Sequence, residues 1–109
     1  MKVNELVQNM GLTVVHMADE QREIGGCYVG DLLSWVMGRA KADDLWFTIM
    51  SNINVLAVAS LTDVAAVVLA EGVTLEEKEL QAAKDKGINV LSSTKSVYDL
   101  CVQAGALLR

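Results

Sequence analysis

The sequence predicts an α/β fold, a small, mostly parallel sheet flanked by helices, and three observations carry that expectation. Two runs, Leu45–Met50 and Ala65–Ala70, are short and apolar throughout, the signature of strands buried on both faces. The segment between them, Ser51 to Val64, is long enough for the crossover of about a dozen residues that a parallel pair requires. Strand-like runs then alternate with helix-like ones over the C-terminal two thirds, as they do in α/β domains.

Taken in order, Val3, Leu6, Val7 and Met10 recur at helical spacing and Gly11 follows as a left-handed stop, so residues 2–10 read as a two-turn helix. Leu12–Met17 is rich in β-formers and reads as a strand, with His16 near its end. Ala18–Glu23 is polar and reads as a surface loop or helical turn. Gly25 and Gly26 lead into a short strand at Cys27-Tyr28-Val29, which Gly30 breaks. Asp31 is the expected N-cap of a helix over Leu32–Ala40, with Leu32, Leu33, Val36, Met37 and Ala40 on its buried face.

After the strand at Leu45–Met50, Ser51 or Asn52 can cap a short helix to about Leu61. Ala57 and Ala59 favour that helix, whereas Ile53, Val55 and Val58 favour a strand entered by a turn at Asn52-Ile53-Asn54; both readings stay open. Beyond Ala65–Ala70, Thr74 and Glu77 have capping-box spacing for a helix to Lys86, stopped by Gly87 and wet on much of its surface. Ile88–Leu91 reads as a strand and Ser92–Ser96 as a polar loop. Ser96 and Asp99 form a second capping pair, for a helix from Val97 to about Leu107 with Leu100, Cys101, Ala104 and Leu108 in its stripe.

The 109 residues suit a single domain, 1–109. Hydrophobic residues make up 52% of the chain and aromatics only 5%, so the core is aliphatic, and the surplus of apolar material predicts a homodimer. A net charge of −5 with scattered basic residues argues against nucleic acid as a partner. No apolar run approaches the roughly 18 residues of a membrane span, and the N-terminus has no signal-like apolar centre, so a cytoplasmic location is expected. Cys27 and Cys101 form no CxxC pair. They read as small core residues, and their spacing leaves a disulfide open.

No nucleophile elbow, phosphate loop or dinucleotide turn occurs, and one histidine with two separated cysteines does not make a zinc set. No catalytic residue, metal or cofactor is therefore expected. Ligands of open α/β sheets sit beyond the carboxyl ends of the strands. The candidates there are Ser51 and Asn52, Gly72 and Thr74, and Ser92, Ser93, Thr94 and Lys95, all preceding helices whose first N–H groups could meet an anion. Trp35 stands off its helix's apolar stripe and reads equally as an interface anchor or a ring over the core rim.

The run from Gly25 to Gly38 (GGCYVGDLLSWVMG) and the blocks Asp44–Ile49 and Asn52–Ala59 resemble free-standing DRTGG-domain proteins over nearly the whole chain. The namesake Asp-Arg-Thr-Gly-Gly string is absent, and Met50-Ser51-Asn52 stands where embedded versions carry a Gly-Asp-Arg-like turn. The resemblance implies a fold similar to the N-terminal domain of HPr kinase/phosphorylase. It also implies a non-catalytic regulatory or assembly module, with a hydrogenase- or kinase-associated protein partner. The alternative it leaves is a domain that senses a nucleotide or phosphate ligand through the loops after the strands.

Overall fold

A computed structural model describes residues 1–108. In chain order the elements are helix α1 (Val3–Met10), strands β1 (Thr13–His16) and β2 (Gly26–Val29), helix α2 (Leu33–Arg39), strand β3 (Asp44–Thr48), helix α3 (Ile53–Thr62), strand β4 (Ala66–Leu69), helix α4 (Glu77–Lys86), strand β5 (Val90–Ser92) and helix α5 (Val97–Leu108). The strands form one sheet in the order β1-β5-β4-β3-β2. Four of them, β2 to β5, run parallel, and β1 joins the edge of β5 in the opposite direction. In the centre Trp46 lies beside Val67 and Phe47 beside Val68.

The two apolar runs lie where their composition requires. Every residue of β3 and β4 is buried, because helices cover both faces of the sheet there. On one face α1 and α5 pack Val3, Leu6, Met10, Leu100 and Ala104 against Leu45, Phe47, Ala66, Val68 and Leu91. On the other, α2, α3 and α4 pack Val36, Val55, Leu56, Ala59 and Ala83 against Trp46, Val67, Leu69 and Val90. A fully buried Leu or Phe contributes about 1.5–3 kcal/mol relative to an exposed one, so these two layers dominate the folding energy.

The segment whose composition leaves two readings open is helical. Asn52 caps α3, its side-chain oxygen accepting from the Asn54 N–H at 3.0 Å. Val55, Leu56, Val58 and Ala59 are all buried, since α3 is wedged between the sheet, α2 and α4. Burial on several sides overrides the β-preference of its valines.

Some local expectations are corrected. Asp31 does not cap α2; Leu32 occupies that position without a side-chain cap. The Asp31 carboxylate instead accepts from the Thr48 hydroxyl at 2.7 Å and the Ile49 N–H at 3.0 Å, tying the end of β2 to the end of β3. Thr74 and Glu77 form no capping box, because α4 starts late, after Glu76 as its cap residue. In α2 only Val36 of the anticipated stripe is fully buried, while Leu32 and Met37 are exposed. That seven-residue helix lies over the edge of the sheet, where only one side of it finds a neighbour. Cys27 is not a core residue: it is exposed on β2, and Cys101 is half-buried; both are free thiols.

Candidate functional site

At the carboxyl end of the parallel strands the structure brings two of the three candidate loops together. The Glu71 N–H donates to the Lys95 carbonyl and the Gly72 N–H to the Ser93 carbonyl, each at 2.9 Å. Glu71 and Gly72 both take left-handed backbone angles to make this junction. Ser93 N–H donates back to Leu69 O, and the Ser93 hydroxyl accepts from Lys95 N–H at 3.1 Å. The N–H groups of Glu71, Gly72, Ser93 and Lys95 are thus occupied within the protein. Ser92 ends β5, and Thr94 and Lys95 are exposed beside the junction with Thr74.

Ser51 and Asn52, after β3, share no hydrogen bond with that junction. Asn52 caps α3, and the neighbouring Thr48 hydroxyl accepts from Met50 N–H at 3.1 Å while it donates to Asp31. Two carboxylates, Asp31 and Glu71, therefore stand on this end of the sheet beside a single amine, Lys95. The electrostatics offer little net attraction for a free anion.

Several large apolar side chains on and near α2 are exposed. Leu32 is 59% exposed, Trp35 53% and Met37 44%. Ile49, whose N–H is held by Asp31, and Ile53 at the start of α3 are also exposed. The Arg39 guanidinium lies 3.7 Å from the centre of the Trp35 ring, a cation–π contact worth about 0.5–1 kcal/mol at an exposed site. Trp46, in contrast, is wholly buried and donates its indole N–H to Gly30 O at 2.9 Å.

On the opposite face, beneath β2, a cavity of about 410 Å³ opens between the strand and the C-terminal half of α5. Cys27 and Cys101 both line it, with Gly25, Gly26, Ala104 and Gly105 supplying the space. Although Cys27 is exposed on the strand, its thiol faces the cavity, and desolvation there pushes it up to about 11, with smaller contributions from Cys101 and Asp44; burial raises Cys101 too. Neither thiol is an activated nucleophile. Among the described residues no three His, Cys, Asp or Glu groups converge to hold a metal, and His16 stays at the half-buried end of β1.

Two structural clusters escaped sequence reasoning. Asn89, 4% exposed, uses its whole side chain: its oxygen accepts from the Ala18 and Asp19 N–H groups, and its amide donates to the Asp19 and Ala65 carbonyls. An asparagine inside Ile88-Asn89-Val90-Leu91 was itself the available signal, because a buried amide requires partners. Arg22 binds Asp43 and Asp63, the two residues with left-handed backbones before β3 and β4. Burial alone would lower the Arg22 pKa, but the two carboxylates outweigh it and the net direction is upward. Both clusters hold loops rather than presenting groups to a ligand.

No family model matches this chain, and no curated protein does. Among solved structures it is similar to the crystal structure of the CBS and DRTGG domains of the regulatory region of Clostridium perfringens pyrophosphatase, complexed with its activator, diadenosine tetraphosphate. The TM-score is 0.75 over 94% of this chain, at 11% sequence identity. The chain corresponds to 45% of the length of that one. At such low identity the likeness is one of fold, and on that ground the protein has a DRTGG-like α/β fold with a five-stranded, mostly parallel sheet.

Proposed function

We propose that this protein is a DRTGG-family module, 1–109 forming one domain, that regulates or assembles other proteins without catalysing a reaction itself. It acts as a cytoplasmic homodimer that docks a protein partner. The observation that carries this reading is the number of exposed large apolar side chains on and near α2: Leu32, Trp35, Met37, Ile49 and Ile53. Exposed apolar groups in such number point to association in small domains, and tryptophan is among the residue types that most often anchor an interface. The fold shared with a regulatory region of a pyrophosphatase supports the regulatory half of the reading. A likeness to the HPr kinase N-terminal domain and a hydrogenase- or kinase-associated partner belong to the same proposal.

Sedimentation velocity on the purified chain, together with co-purification from the native host, tests it. A dimer is expected, with a stoichiometric partner that is lost from the Trp35→Ala protein while the dimer remains. A monomer at every concentration, with no partner dependent on Trp35, would sink the reading.

A second reading has one observation in its favour: the structurally similar regulatory region is complexed with a dinucleotide activator. In this reading Ser51, Asn52, Gly72, Thr74, Ser92, Ser93, Thr94 and Lys95 contact a nucleotide or phosphate ligand. Asp31 and Glu71 weigh against it. A thermal-shift panel of mononucleotides, diadenosine polyphosphates and acyl phosphates decides, since a flat response across the panel removes it.

A further inference from the structure

The hollow between β2 and α5 is kept open by a residue that the fold itself does not require. Gly105 lies inside α5, where glycine is less favourable than alanine. Its backbone is not left-handed, and a Cβ built on it would meet no atom of the described residues within 4 Å. Neither a turn nor a close approach asks for glycine there. What a side chain at this position would enter is the cavity of about 410 Å³ that Gly105 lines. The glycines of the opposite wall differ, since a Cβ on Gly25 would come 3.3 Å from the Asp43 Cβ and one on Gly26 2.9 Å from the Asp44 carboxylate.

The lining decides what such a space can hold. None of the described lining residues carries a charge, and the only polar side-chain atoms among them are the two thiols. Burial keeps both thiols protonated at neutral pH, and the Asp44 carboxylate is close enough to act on Cys27 and would repel an anion. A charged ligand would lose its hydration here and find no partner. An uncharged apolar one has no such cost and gains packing contacts. The walls are two short segments, residues 24–29 and 101–108, with Phe47 of β3. They are too small for a stable protein interface, which takes about 800 Å² from each partner. Small-molecule pockets of about 300–1,000 Å³ include a hollow of this size, and roughly 150 Å³ already accepts benzene.

We propose that this cavity binds an uncharged, mainly aromatic small molecule of about two fused rings, seated between β2 and α5 against Cys27, Cys101 and Gly105. Cys27 and Val29 of β2 are exposed on this side, so the ligand covers a stretch of strand that α5 leaves bare. It also joins β2, which has only β3 as a neighbour in the sheet, to the last helix. The site lies on the face of the sheet opposite α2. It is therefore separate from the docking proposed through Trp35, and either can fail while the other stands.

Indole is the probe, with indole-3-acetate as its anionic and tryptamine as its cationic counterpart. Indole should raise the melting temperature saturably. At about ten times its Kd it should slow alkylation of both Cys27 and Cys101 by iodoacetamide about tenfold, since only the unoccupied protein reacts. The two charged counterparts should do neither. Gly105→Leu puts its side chain into the hollow; it should melt no lower than the parent protein and lose the indole response. Gly105→Ala fills less of the space, and it should melt about 4 °C higher and bind indole more weakly. Should the leucine variant fail to fold, the alanine variant decides, and an undiminished affinity for indole in it overturns the site. The absence of a saturable response to indole, or equal responses to all three compounds, overturns it as well. Protection of the two thiols that rises with protein concentration in the absence of probe would mean that a second copy covers the hollow, and the small-molecule site would be withdrawn.

Discussion

At the residue scale the side chains that hold the structure are not those that sequence reasoning marks for function. Asn89 joins the loop after β1 to the ends of β4 and β5 through four hydrogen bonds, all from one buried amide. Replacing it leaves the Ala18 and Asp19 N–H groups and the Asp19 and Ala65 carbonyls without their partner. Asn89→Ala should therefore lower the unfolding free energy by about 3 kcal/mol, measured by urea denaturation. Cys27 makes a prediction in pH. Its thiol is held protonated up to about 11, against an ordinary value of 9.0. Because the folded-state value is the higher one, the unfolded chain ionises first as pH rises. The stability associated with the neutral thiol is present below pH 9.0 and lost between there and about 11. Titrating thermal stability in the Cys101→Ser background should show this loss, and Cys27→Ser should abolish it. Alkylation of Cys27 should be slow near neutral pH and accelerate over the same window.

At the scale of elements, position in the layers decided what local pattern left open. Helix α3 contains valine and isoleucine enough for a strand, yet it is buried between α2, α4 and the sheet. Helix α2 has a sequence stripe as good as that of α5, but it lies at the border of its layer, and its Leu32 and Met37 face outward. The Asp31 strap joins the ends of β2 and β3 in place of the expected helix cap. Its removal in Asp31→Ala should cost about 1 kcal/mol, the usual net value of such bonds. It should also speed hydrogen exchange at the Ile49 amide while leaving α2 helical, which NMR would resolve. Exchange at Ile49 no faster than in the parent protein would contradict the strap.

At the scale of the molecule, protection should follow strand order. Strands β3 and β4 have partners on both sides and helices on both faces, so their amides should open only on global unfolding. Strand β2 has one partner and a cavity beneath it, so in dilute solution its amides should exchange faster than those of β3.

The sequence alone determined the α/β class, the buried central strands, the left-handed stops at Gly11 and Gly87 and the order of elements after Asp44. It could do so because full burial of a strand and the termination of a helix leave composition signals within a few residues. Only the tertiary structure decided that β1 runs against its neighbour, that Asp31 straps two strands, that Cys27 meets Cys101 across a cavity, and that the loops at Gly72 and Ser93 spend their N–H groups on each other. These are pairings between residues distant along the chain. Their free energy depends on where the sheet order carries each partner, and no local spacing records that.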